Sequence, residues 1–316
     1  MAASTTPSLD LAGFDTGVQA IAADARPGKL GVGLMNLESG ESYLFNDDRR
    51  FPMQSVFKLL LGAAVLSEVE AGKLSLDERF SLEDIQLSPQ HSPIASAWPT
   101  RRDYSTQELL EFCVVGSDNT ATDVLMKRVG GPGAVTAWLT SKALTGLRVD
   151  RYERELQPEA NGMGTFRPAW RDASVYDAVR SKVPEGQRLA AMSAYMADPR
   201  DTATPRGMLE FLQKLHRQDL LSPESTDRLR EMMVRTLSAP NRLRAGLPAD
   251  AVLAHRTGSS GFHLGLRPAC NDVGIFTLAD GRAYAIVAFL SGATLGEDAS
   301  DALIARVAGA AVAAIR

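Results

Sequence analysis

A chain of 316 residues, 45% apolar and 23% charged, has ample material for one large core or two interleaved subdomains. Its net charge of −4 and pI near 5.7, with no basic block, argue against a nucleic-acid partner. No apolar run is long enough for a membrane span.

Met1–Pro7 lacks the charged start and apolar core of a signal peptide, so the chain is either cytoplasmic or stripped of its export signal. Apolar residues at helical spacing predict an amphipathic helix over 9–25, stopped by Pro27-Gly28. Strands follow at 30–37 and 42–45 around the turn Glu38-Ser39-Gly40-Glu41. A strongly apolar helix then runs from the Ser55–Lys58 stretch to Gly72. Residues 73–104 are mixed and polar, and Pro89, Pro93 and Pro99 forbid a long helix there. Helices are expected over 105–116, capped by Ser105 or Thr106 with Glu108, then over 120–129 and 134–143.

Regular pattern is poor from Gly146 to Pro168, with helices expected again at 174–182 and 187–196. Helices over 205–217 and 223–236 lead to strands at 252–256, 272–278 and 283–290, the last two joined by the hairpin signal Asp280-Gly281. A helix over 300–315 ends the chain. The economical fold is α/β: an antiparallel five-stranded sheet built from both chain ends, flanked by helices, with an all-helical lobe inserted. The sheet subdomain is expected at 8–50 and 238–316, the helical one at 51–237 with an extended loop at about 151–201.

Four clusters carry chemistry. Ser55 and Lys58 stand one helical turn apart, where an amine can meet a hydroxyl and the helix start favours negative charge. Alone the spacing arises by chance about once in a chain of this size and equally describes a capping serine beside a solvated lysine. Ser117-Asp118-Asn119 presents a hydroxyl and an amide on a short turn, and is also a good helix cap. Glu153, in a run of charges, is a candidate base for a water and equally a solvated loop charge. Arg256-Thr257-Gly258-Ser259 ends a strand with a fixed cation, hydroxyls and a glycine, a combination suited to a substrate carboxylate. The four histidines show no metal-ligand spacing, and no metal or cofactor is expected. Cys113 and Cys270 read as two buried thiols, with one disulfide as the alternative.

Taken in order, these clusters resemble the signature of class A β-lactamases and penicillin-binding proteins, over nearly the whole chain. Phe51–Lys58, His91-Ser92-Pro93-Ile94, Val252–Gly258 and Asn271-Asp272-Val273-Gly274-Ile275 are most similar to the subgroup of PER-type extended-spectrum enzymes. The resemblance implies a β-lactamase acting through a serine acyl-enzyme: Ser55 as nucleophile, Lys58 as its proton partner and Ser117 as relay to the leaving nitrogen. It implies Glu153, 36 positions after Ser117, as the base that activates the deacylating water. The backbone N–H groups of Ser55 and Ser259 would form the oxyanion hole. Asn119, Gln157, Arg256, Thr257, Ser259, Arg242 and His91 would contact substrate or water, and Arg151 with Asp201 would close the neck of the omega loop. A small-molecule β-lactam is the implied partner, the protein is expected to be monomeric, and its place periplasmic or secreted.

Three departures from the family stand out. Arg256 replaces the usual lysine, exchanging a point charge for a planar fork. Gln157 stands where asparagine or histidine is usual. Asp201 lies 44 positions after Gln157, which leaves roughly 35 residues inserted in the omega loop. If Arg151 and Asp201 pair, the insertion hangs from a closed neck; otherwise Glu153 is displaced. The alternative readings are a D,D-peptidase on the same fold, or a penicillin-binding sensor that acylates without efficient deacylation.

Overall fold

The computed structural model describes residues 8–88, 90–236 and 238–316, so the signal-peptide reading of Met1–Pro7 and the helix-forbidding role given to Pro89 lie outside it. The chain divides into two compact units. One comprises Met1–Val56, Ala203–Asp219 and Leu237–Arg316, the other Phe57–Thr202 and Leu220–Thr236.

The first unit is built on a five-stranded antiparallel sheet in the spatial order Ser42–Phe45, Lys29–Asn36, Ala283–Ser291, Cys270–Thr277, Val252–Ser259. Both chain ends thus meet in the middle of the sheet, where Val32 faces Ala288 and Leu34 faces Ile286. The helices Leu11–Asp24 and Glu297–Ala314 cover one face, burying Phe14, Val18, Ile21, Leu303, Ile304 and Val307 against Val32, Leu34, Ile286 and Leu290. Burial of each large apolar side chain in this layer contributes roughly 1.5–3 kcal/mol. The helix Pro205–His216 belongs to this unit although its sequence position groups it with the helical segment: Leu209 packs at 3.4 Å from where a Gly33 Cβ would stand.

The second unit is organised around the helix Phe57–Glu70, whose residues from Phe57 to Leu66 are all buried. A helix that is apolar all round must be enclosed by others, here Thr106–Val114, Asn119–Arg128, Pro132–Ser141 and Pro223–Val234. The approach is close: a Cβ on Gly62 would come within 2.8 Å of Val114 and 3.3 Å of Leu229.

Three local expectations change. The strand Val252–Ser259 runs three residues beyond the predicted end and carries Thr257-Gly258-Ser259 within the sheet. The polar stretch 73–104 contains a short antiparallel ribbon, Arg79–Ser81 with Asp103–Ser105. The segment from Gly146 to Pro168 contains the helix Glu153–Ala160, despite Pro158 inside it. Cys113 and Cys270 are buried thiols in separate units.

Candidate active site

In the helical unit, Lys58 and Glu153 meet. Lys58 lies in the first turn of the central helix, fully buried, with its Nζ 2.9 Å from Glu153 Oε1. The same Nζ reaches Asn119 Oδ1 at 2.6 Å, the Ser117 carbonyl at 2.8 Å and Ser117 Oγ at 3.3 Å. Glu153 is 1% exposed, and its Oε2 accepts the amide of Gln157 at 2.9 Å, one helical turn on. An ammonium and a carboxylate taken out of water together tolerate burial only as a pair with their remaining lone pairs met.

Local sequence explains the presentation of Ser117 and Asn119. Asp118 caps the helix Asn119–Arg128, accepting Ala121 N–H at 2.8 Å. It also accepts Ile94 N–H and the Ser92 hydroxyl, which ties the His91-Ser92-Pro93-Ile94 motif to the turn. Burial pushes the Asp118 carboxyl above its usual range, with these donors opposing the shift. Ser117 sits at φ 59, a strained setting for a residue with a side chain. The exposed His91 ring is 2.8 Å from the Gly116 carbonyl, and Asn119 N–H donates to His91 O at 3.2 Å.

The position of Glu153 depends on a residue that local pattern does not reveal. Asp123, buried in the helix Asn119–Arg128, accepts Glu153 N–H at 2.7 Å and Arg154 N–H at 3.1 Å. A carboxylate from another helix thus caps the start of Glu153–Ala160, together with the local Glu155, whose carboxylate accepts Tyr152 N–H at 3.0 Å. Burial pushes the Asp123 carboxyl up to about 6, with the Ser88 hydroxyl, 2.5 Å away, acting in the opposite direction. The available sequence signal is a lone acid between Thr122 and the apolar Val124-Leu125-Met126.

Arg151 and Asp201 form an ion pair at 2.6 Å across 50 positions of chain. Asp201 also accepts the N–H groups of Asp150 and Arg151, and its own N–H donates to Asp150. Burial raises the Asp201 carboxyl, opposed by these N–H groups and the Arg151 charge. Between the two ends of the neck, after Glu153–Ala160, the chain folds into Pro168–Arg171, Ala173–Arg180 and Glu185–Ala197, around Trp170, Tyr176, Met192 and Tyr195.

In the sheet unit, Ser55 lies in the 3-10 turn Gln54–Val56, immediately before the central helix. Gln54 is at φ 48, so the turn is strained next to Ser55. The strand Val252–Ser259 comes so near that a Cβ on Gly258 would stand 2.1 Å from Met53 O and 3.0 Å from Val56 N. Asn271 fixes this approach from the neighbouring strand, donating to the carbonyls of Pro52 at 2.8 Å and Met53 at 3.1 Å.

Arg256 is fully buried, Thr257 nearly so, and Ser259 exposed. The Thr257 and Ser238 hydroxyls are 2.7 Å apart. Arg242, 2% exposed, donates to Ser259 Oγ at 2.7 Å and to Asn271 O at 2.9 Å. Its Nε meets Asp301 at 2.9 Å, and Arg267 meets the same oxygen at 2.9 Å. Burial pushes Asp301 up, but the two guanidinium groups hold it below the usual carboxylate range. Asp301, Asn271 and Ser238 are further polar residues of this half whose roles do not follow from sequence spacing. Among the described residues no cluster of metal-ligating side chains occurs.

Residues 14–315 match the model of the β-lactamase enzyme family. The extended-spectrum β-lactamase PER-1 of Pseudomonas aeruginosa is 31% identical over 88% of this chain and 80% of its own length. The β-lactamase VEB-1 from the same organism is 28% identical over 90% of this chain and 84% of its length. Among solved structures, a β-lactamase from Chitinophaga pinensis aligns with TM-score 0.77 at 34% identity, covering 94% of this chain and 97% of that one. A reconstructed class A β-lactamase ancestor of Gram-negative bacteria aligns with TM-score 0.77 at 30% identity, covering 96% and 99%.

Proposed function

Because the chain belongs to the class A β-lactamase family and is a β-lactam hydrolase, we propose that its reaction runs through an acyl-enzyme on Ser55, released by water activated at Glu153. In acylation, Ser55 Oγ bonds to the lactam carbonyl carbon, its proton passing to the Lys58–Glu153 pair. The carbonyl π electrons move onto oxygen, where the N–H groups of Ser55 and Ser259 stabilise the anion. Collapse breaks the C–N bond, and the nitrogen takes a proton through Ser117. In deacylation, a water held by Glu153 and Gln157 attacks the ester carbon and gives its proton to Glu153. The C–Oγ bond breaks and Ser55 recovers a proton.

Arg256, Thr257 and Ser259 hold the substrate carboxylate, with Arg242 assisting through Ser259. Asn119 and His91 contact the acyl side chain. The observation that carries this reading is the buried Lys58–Glu153 contact with Ser117 and Asn119 on the same ammonium. A proton acceptor already in place beside the lysine favours turnover over the single acylation of a penicillin-binding sensor. The protein is further proposed to act as a monomer, exported to the periplasm or beyond, without a nucleic-acid partner.

The decisive measurement is hydrolysis of a chromogenic cephalosporin by wild type and by Glu153→Gln. Wild type should turn over. The variant should lose roughly 10²–10⁴ in kcat and carry an acyl mass on Ser55 in quenched samples. Absence of both turnover and a Ser55 adduct in wild type would exclude the proposal. Fast acylation with hours-long persistence in wild type would favour the penicillin-binding alternative.

A further inference from the structure

Arg154, the residue after Glu153, sits where the omega-loop helix, the body of the helical unit and the insertion meet. Its Nη1 donates to the Ile85 carbonyl at 3.0 Å and its Nη2 to Ser88 Oγ at 3.3 Å and the Leu87 carbonyl at 3.4 Å. Its Nε faces Asp123 Oδ2 at 3.4 Å. The fork therefore grips the segment 85–88 and the acid that caps Glu153. The free side of the guanidinium is covered from the insertion: the Phe166 ring centre lies 5.1 Å from Cζ. Phe166 is held by a chain of edge-on aromatic contacts, to Trp170 at 6.2 Å and from Trp170 to Tyr176 at 6.1 Å. Trp170 and Tyr176 are buried, so the ring that meets Arg154 is backed by the insertion's own core.

The backbone on both sides of Glu153 is thus fixed from two directions. Asp123 takes the N–H groups of Glu153 and Arg154, one from the peptide unit on each side of Glu153, and the Arg154 side chain is held by Ser88, the Ile85 and Leu87 carbonyls and Phe166. Those two peptide planes meet at the Glu153 Cα and set the direction in which its side chain leaves the backbone. We propose that Arg154 is a positioning residue for deacylation and that Phe166 clamps it, which makes the omega-loop insertion a working part of the deacylating apparatus. The inference rests on the reading of Glu153 as the base for the deacylating water.

The test uses Phe166→Leu, which keeps bulk but removes the ring face, Phe166→Tyr, which keeps the face, and Arg154→Lys, which keeps charge but loses the fork. Steady-state kinetics with a chromogenic cephalosporin are paired with mass spectrometry of quenched enzyme. A specific loss of deacylation lowers kcat and KM together and leaves kcat/KM in place. Phe166→Leu should lower both by roughly three- to tenfold, the size of a lost cation–π contact, with kcat/KM within about twofold and an acyl-Ser55 mass accumulating. Arg154→Lys should do the same more strongly, and Phe166→Tyr should match wild type.

General loosening would instead lower the active fraction and kcat without moving KM. That result, or wild-type constants in both Phe166→Leu and Arg154→Lys, overturns the inference. Should Phe166→Leu not fold, as judged by its melting transition, Arg154→Lys decides alone. Glu153→Gln on the same substrates separates the two readings. If it traps the acyl-enzyme while the clamp variants behave as wild type, only the clamp fails. If it traps nothing, the role of Glu153 and the clamp fail together.

Discussion

Lys58 offers three N–H donors to four oxygens, so its bonds to Glu153, Asn119 and Ser117 compete and a shift in one redistributes the rest. Asp123, one step behind Glu153, has a titration with a definite sign. Its folded carboxyl titrates near 6, above the roughly 3.9 of an unfolded aspartate, so the folded state holds the extra proton between those values. The stability it contributes is complete below about pH 4 and disappears as pH rises through about 6. Asp123→Asn keeps an acceptor for Glu153 N–H but cannot titrate. Urea midpoints measured from pH 4 to 7 should therefore fall less steeply for the variant than for wild type; parallel curves would contradict this. The residues at proposed reaction positions were legible because their types recur at set spacings. Asp123, Asp301 and Asn271 were not, because each is defined by partners 30 or more positions away or on another strand.

At the scale of elements, the end of the strand Val252–Ser259 and the turn Gln54–Val56 are fitted through one glycine. In Gly258→Ala, the new methyl would stand 2.1 Å from Met53 O, a backbone atom that a rotamer change cannot move. The strand end must retreat from Ser55, and displacement of about 1 Å at a reacting centre can cost on the order of 10²-fold. The variant should lose at least roughly tenfold in kcat/KM, seen as slower acylation in single-turnover measurements; an unchanged acylation rate would count against the proposed oxyanion hole. The omega-loop helix illustrates the limit of local pattern. Pro158 and dense charge argue against a helix there, but Asp123 supplies the cap from outside and Leu156 is buried. The helices inside the insertion were expected because their apolar spacing is local, whereas the aromatic contacts that turn the insertion toward Arg154 were not.

Across the whole molecule, the fold class was readable because its two largest signals are simple. The strands of the five-stranded sheet all come from near the chain ends, and one long apolar run can exist only inside a bundle. The strand order was not readable, since Lys29–Asn36 pairs with Ala283–Ser291 across most of the chain length. The ion pair at the neck bears on stability as a whole. In Asp201→Ala, Arg151 keeps Glu159 and Asp198 but loses its most buried partner. Breaking a buried pair costs about 3–5 kcal/mol, and the remaining carboxylates place the expected loss near the lower end. Chemical denaturation should show it as an earlier transition; a change below about 1 kcal/mol would mean that the contacts left in the variant, position 201 N–H to Asp150 and Arg148 N–H to the Thr202 carbonyl, suffice to hold the neck.

The neck has one further consequence. Asp150 and Asp201 exchange N–H donors for carboxylates, which brings the ends of the segment together whatever lies between them. Closing a longer loop adds only about 0.6 kcal/mol for each doubling of its length. Such a closure behaves as a socket. Segments of other lengths can be closed in it at small entropic cost, so the neck itself sets little limit on how much chain it carries.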